Sequence, residues 1–141
     1  MPHILIVEAR FYPEISNLLL EGAIDALKAV GATYETINVP GAFEIPAVVS
    51  IAQKSGKYDG FVALGCVIRG ETTHYDYVCQ ESARGLNDLA IQHNLAIGYG
   101  ILTTENDKQA IVRADKKQKN KGADAVQACL RMVEIKRQFG A

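Results

Sequence analysis

Four short strand-like segments, two of them continuous apolar runs, joined by helical segments predict an α/β protein, a three-layer α/β/α sandwich on a four-stranded parallel sheet. Three observations carry the prediction. HILIVE and GFVALGCVI are continuous apolar runs of the kind that strands covered on both faces require. The segments between the strands repeat their apolar residues at helical spacing. Gly or Pro stands at most of the boundaries.

HILIVE (3–8) is the first strand. Pro13 then opens a helix whose Ile15, Leu18, Leu19, Ala23, Ile24, Leu27 and Val30 share a face, and Gly31 ends it. TYETINV (33–39) is the second strand, broken by Pro40-Gly41. A second helix is expected from about Phe43 to Lys54, with Pro46 tolerable only in its first turn. GFVALGCVI (60–68) is the third strand. Thr73-x-x-Asp76 resembles a capping box and starts a third helix, with Val78, Cys79, Ala83, Leu86, Leu89 and Ala90 facing inward. AIGYGIL (96–102) is the fourth strand, and Thr104-x-x-Asp107 opens a short helix to about Arg113. A lysine-rich connector (116–121) leads to a last helix lined by Ala125, Val126, Cys129, Met132 and Val133. Helical crossovers of this length are right-handed and cover both faces of a parallel sheet, which makes the arrangement flavodoxin-like.

The chain has 141 residues, so one domain spanning 1–141 is expected. A formal charge of −1 provides no field to attract nucleic acid or an anionic membrane. No apolar run approaches the roughly 20 residues of a membrane span, and the first strand leaves no room for a signal peptide. The three cysteines, Cys66, Cys79 and Cys129, have no paired metal-ligand spacing and read as reduced thiols, the last two on apolar helix faces. A soluble cytoplasmic domain without a metal site is the expectation.

In such sheets ligands bind outside the carboxyl ends of the strands. The segments to examine are Glu8–Phe11, Val39–Glu44, Cys66–His74 and Leu102–Glu105. The third reads GCVIRGETTHYDYV from Gly65 to Val78. Its glycines let a ligand approach the backbone, and the amides of Glu71, Thr72 and Thr73 precede a helix, a natural phosphate site. His74 follows in the first turn; imidazole titrates near neutrality, which suits proton exchange.

VPGAFEIP joins a turn, a helix start and the carboxylate of Glu44. That combination suits a polyhydroxylated ligand, although Glu is also favoured at a helix start by the dipole. Phe11 either stacks on a planar heterocycle or staples the next helix. Arg113, Lys121 and Arg69 are cations available to a phosphate or an electron-rich ring. The other lysines of KKQKNK read as a solvated face, and His3 and His93 have no assigned role.

Together these segments resemble the lumazine synthase family. The resemblance rests on RF after the first strand, LLLEGAIDAL, VPGAFEIP, YDGFVALGCVIRGETTHYDYV, GILTTENDKQAIVRA and NKG, running to about Met132. It implies condensation of 5-amino-6-(D-ribitylamino)uracil with 3,4-dihydroxy-2-butanone 4-phosphate to 6,7-dimethyl-8-ribityllumazine. Phe11 would stack on the pyrimidine, Ala42, Phe43 and Glu44 would line the ribityl site, and Cys66, Val67 and Ile68 would give backbone contacts to the ring. Glu71, Thr72 and Arg113 would meet the phosphate, His74 would carry protons and Lys121 would contact the ring. Tyr99 stands where the family often has Phe, contributing to the pyrimidine site, commonly from an adjacent subunit. The implied steps move protons and need no cofactor.

The resemblance also implies pentamers, which some members assemble into icosahedral shells, and a handover of product to riboflavin synthase. Shell-forming members often carry extra residues before the first strand and a glycine-containing kink before NKG. Here the first strand starts at His3 and the connector is DKKQKN, so a free pentamer or a pair of pentamers is expected. RFY-Pro replaces the common RFN, and Leu95-Ala96-Ile97 a common Ile-Pro-Val.

Two other classes compete. A response-regulator receiver needs an acidic cluster after the first strand and an Asp after the third, where this chain has only Glu8 and Cys-Val-Ile-Arg. A flavin- or lumazine-binding module without catalysis would need neither His74 nor Arg113.

Overall fold

Strand β1 (His3–Ala9) pairs in parallel with β2 (Thr33–Val39) on one side and β3 (Gly60–Ile68) on the other, and β3 pairs with β4 (Ile97–Thr104). The order is therefore β2-β1-β3-β4, in a computed structural model that describes residues 1–141. Helix α1 (Pro13–Ala29) joins β1 to β2. A 3-10 turn over Ala42–Glu44 and α2 (Ile45–Gln53) join β2 to β3, and α3 (His74–His93) joins β3 to β4. Two more helices, α4 (Asp107–Ala114) and α5 (Lys121–Phe139), follow β4.

Alternate strand residues face opposite layers, which produces two separate cores. Ile4, Ile6, Val62 and Leu64 pack against Leu19 and Leu27 of α1, Ala110 of α4 and Val126 and Cys129 of α5. Leu5, Val7, Ala63 and Ile101 pack against Ile45 and Val49 of α2 and Val78 and Leu86 of α3. Each fully buried Leu or Ile contributes about 1.5–3 kcal/mol to this three-layer arrangement. Close approach of α5 to β4 depends on Gly98, because a Cβ there would overlap the Ala125 carbonyl. No helix is long and apolar enough to cross a membrane.

Several boundaries differ from the sequence expectation. Strand β4 runs to Thr104 rather than Leu102, since Thr103 and Thr104 still pair with Val67 and Ile68. Thr104 therefore belongs to the strand, and Asn106 caps α4 by accepting the Gln109 N–H at 2.9 Å. Thr73 does precede α3, but its φ of −73° and ψ of 0° are helical rather than extended, and its side chain makes no cap bond. The expected second helix begins as the 3-10 turn, with Pro46 in the first turn of α2.

The inward faces of two helices also shift. Helix α3 buries Val78, Ser82 and Leu86, while Ala83 is exposed and Cys79 only half-buried. Ser82 fits inside because its hydroxyl donates to the Cys79 carbonyl at 3.1 Å. Met132 of α5 is 40% exposed, whereas Cys129 is fully buried as expected. Lys116 is no free surface charge: its ammonium meets Glu21 at 2.7 Å and Asp25 at 2.8 Å, tying the connector to α1.

Candidate active site

The carboxyl ends of β1, β2 and β3 and the first turn of α3 enclose one cleft of about 590 Å³. That volume lies in the range of small-molecule sites. Phe11 and Tyr12 line it from the β1 end, Pro40–Glu44 from beyond β2, and Cys66, Val67 and Ile68 from the end of β3. Gly70, Thr72, His74, Tyr75 and Val78 complete the lining.

Phe11 is 68% exposed, and its ring meets Tyr12 edge-on at 5.0 Å between centroids. A helix staple would need an apolar partner four residues into α1, where Ser16 stands. The open ring face favours stacking. Glu44 folds its carboxylate back over the turn, where Oε1 would lie 3.3 Å from a Cβ at Gly41.

The backbone N–H groups of Gly70, Glu71, Thr72 and Thr73 donate to no protein acceptor. They stand open for an anion just before α3, where the helix dipole adds its positive end. His74 is the first residue of α3 and is exposed at the cleft. Its N–H donates to Thr72 Oγ1 at 3.3 Å, which leaves the threonine O–H proton free for a ligand.

Burial pushes the Cys66 thiol up to about 11, against an opposing hydrogen bond from Thr104. Cys66 is thus a protonated wall of the cleft rather than a nucleophile. Burial, with Cys66 and Asp107 nearby, also raises the Tyr12 hydroxyl above its ordinary value.

Phe11, Ala42, Phe43, Glu44, Cys66, Val67, Ile68, Thr72 and His74 thus converge on the cleft from three stretches of chain. Glu71 lies beside it without lining it. Tyr99 faces a separate depression with Ala83, Leu86, Asn87, Ala90 and Ile97, its hydroxyl 3.5 Å from Ser82 Oγ. Arg113 donates to the Gln109 carbonyl at 3.0 Å on α4, and Lys121 meets Asp124 at 3.3 Å on α5; neither lines the cleft. Arg69 is engaged by Glu105 and Asp76, so it is not an available cation for a phosphate. Tyr12, Gly41 and Tyr75 were not singled out from sequence, though each adjoins a residue or turn that was; Val78 reads only as helix core.

A family model described as 6,7-dimethyl-8-ribityllumazine synthase matches residues 2–137. A Bartonella tribocorum protein named 6,7-dimethyl-8-ribityllumazine synthase is 55% identical over 140 residues, covering 99% of this chain and 93% of that protein. Its namesake from Sphingopyxis alaskensis is 54% identical over 140 residues, covering 99% of each. The 6,7-dimethyl-8-ribityllumazine synthase 1 of Rhizobium meliloti is 54% identical over 144 residues, covering 99% of this chain and 94% of that protein.

Proposed function

The chain belongs to the 6,7-dimethyl-8-ribityllumazine synthase family, and from that premise we propose that its cleft seats both substrates of the family's reaction around His74. The enzyme condenses 5-amino-6-(D-ribitylamino)uracil with 3,4-dihydroxy-2-butanone 4-phosphate, releasing 6,7-dimethyl-8-ribityllumazine and phosphate in the penultimate step of riboflavin biosynthesis. One observation carries the assignment of residues: three separate stretches of chain bring an exposed aromatic ring, a carboxylate, and adjoining open amides and imidazole to one cleft.

In this reading the pyrimidine stacks on Phe11 and takes backbone contacts from Cys66, Val67 and Ile68. The ribityl chain lies along Ala42, Phe43 and Glu44, whose carboxylate accepts from its hydroxyls. The phosphate meets the amides of Glu71 and Thr72 and the Thr72 hydroxyl. The 5-amino group attacks the ketone, and loss of water gives an imine. A proton is lost from C3 as phosphate leaves C4 with its C–O electron pair, and the resulting enol tautomerises to a ketone at C3. The ribitylamino nitrogen attacks that new carbonyl to close the ring, again losing water. His74 takes and returns protons in these steps. Holding both substrates together supplies much of the rate.

Tyr99, Arg113 and Lys121 lie off the cleft of their own chain. In this proposal they serve the cleft of a neighbouring copy, Tyr99 at the pyrimidine and Arg113 at the phosphate. A pentamer or a pair of pentamers is favoured over an icosahedral shell because the connector DKKQKN lacks a glycine kink. A cytoplasmic location fits the three free cysteines, since thiols persist in reducing compartments. The product passes to riboflavin synthase.

Supplying both substrates tests the proposal. Phosphate and lumazine should appear in equal amounts. Ligand fluorescence changes without phosphate release would instead make the cleft a binding module.

A further inference from the structure

The loop between β3 and α3 has an unusual constraint. Its amides from Gly70 to Thr73 make no protein hydrogen bonds, so they cannot hold the loop in place. Thr73 provides no side-chain cap, and a Cβ at Gly70 would meet nothing within 4 Å. Thr72 Oγ1 and the Thr73 carbonyl tie the loop's downstream end to α3, and the rest of its restraint comes from neighbouring residues.

Arg69 spans it. At the upstream end its N–H donates to the Thr104 carbonyl at 2.9 Å, extending the β3–β4 pairing by one bond. Its Nε lies 3.0 Å from both carboxylate oxygens of Glu105, beyond β4. At the downstream end Nη1 reaches Asp76 Oδ1 at 3.4 Å, and the guanidinium carbon sits 4.3 Å from the centre of the Tyr75 ring. Tyr75 and Asp76 follow His74 directly in α3. Glu105 is itself tied down, its N–H donating to Gln109 Oε1 at 2.8 Å in the first turn of α4.

We propose that Arg69 is a positioning residue: clamped by Glu105 and Asp76 and laid over Tyr75, it staples the two ends of the anion loop. This rests on the reading of that loop as the phosphate site. Two carboxylates surround the one guanidinium, so the cluster adds no net positive charge to attract a phosphate. Each exposed ion pair alone contributes little. Nε on Glu105, Nη1 on Asp76 and the guanidinium over Tyr75 act together, a spread of three contacts from one rigid plane that the single ammonium of lysine does not reproduce.

Steady-state kinetics on Arg69→Lys and Glu105→Gln, with each substrate varied in turn, test the staple. Both variants should raise KM for the phosphorylated ketone about tenfold, the scale on which misplacement weakens a preorganised site, and leave KM for the uracil within about twofold. If Arg69 acted by charge, Arg69→Lys would match wild type and Glu105→Gln would bind the phosphate more tightly; either result overturns the proposal. An equal rise in both KM values, tracking a lower melting temperature, also overturns it as mere structure. If Glu105→Gln does not fold, Arg69→Lys alone decides. A wild-type enzyme that releases no phosphate would overturn the underlying reading, whereas failure of the staple leaves wild-type turnover intact.

Discussion

The backbone N–H of His74 donates to the side-chain oxygen of Thr72 at 3.3 Å, so one hydroxyl ties the anion loop to the residue that opens α3. That hydroxyl accepts from the helix and retains a proton to donate to a phosphate. Thr72→Val keeps the shape and removes both bonds. The expected result is a rise of about fivefold to twentyfold in KM for the phosphorylated ketone, with a stability loss of about 1 kcal/mol from the lost hydrogen bond to the His74 N–H. Kinetics and chemical denaturation on the same preparation check both.

His74→Ala removes the proton carrier but leaves the cleft that holds two substrates. Turnover should fall by about a hundredfold, the lower end of general acid–base contributions, and should not vanish. Single-turnover formation of lumazine measures it. A rate equal to wild type would remove His74 from the chemistry.

Phe11 packs at a steep angle against Tyr12 and lines the cleft with its ring largely exposed. Phe11→Ala should weaken binding of the ribitylaminopyrimidine by about 1–3 kcal/mol, the range found for base–aromatic stacking. Phe11→Tyr should bind nearly as well. Fluorescence titration with the product lumazine reports both, and unchanged affinity in Phe11→Ala would place the ring elsewhere.

Burial raises the Cys66 thiol from an ordinary 9.0 to about 11 in the folded chain. The sign follows from linkage: the native state keeps this proton longer than the unfolded state does. The associated stability is full below pH 9 and is lost as pH climbs toward 11. Melting temperatures should therefore fall over that window, and Cys66→Ala should fall less steeply. Alkylation by iodoacetamide at neutral pH should be slow at Cys66.

Strands β1 and β3 were legible from their continuous apolar runs, and the mixed, mostly exposed β2 from the Pro40-Gly41 break that ends it. The end of β4 was not, since Thr103 and Thr104 look polar yet continue the pairing with β3. The inner face of α3 was hidden for a related reason: Ser82 satisfies its own hydroxyl and sits in the core, which no hydropathy pattern reveals. At the site, Phe11, Glu44 and His74 could be placed in one cleft because each follows the carboxyl end of a strand. Tyr99 entered through family resemblance alone, whereas Arg113 and Lys121 stood out only as cations and took their roles from the resemblance. Local spacing carries no sign of which chain's cleft a residue on β4, α4 or α5 will face.

A crystal structure with a ribitylaminopyrimidine and inorganic phosphate bound tests the site most directly. The pyrimidine should lie on the Phe11 ring, the phosphate should accept from the amides of Glu71 and Thr72, and His74 should stand between them. A pyrimidine stacked elsewhere, or a phosphate bound away from Gly70–Thr73, would contradict the assignment.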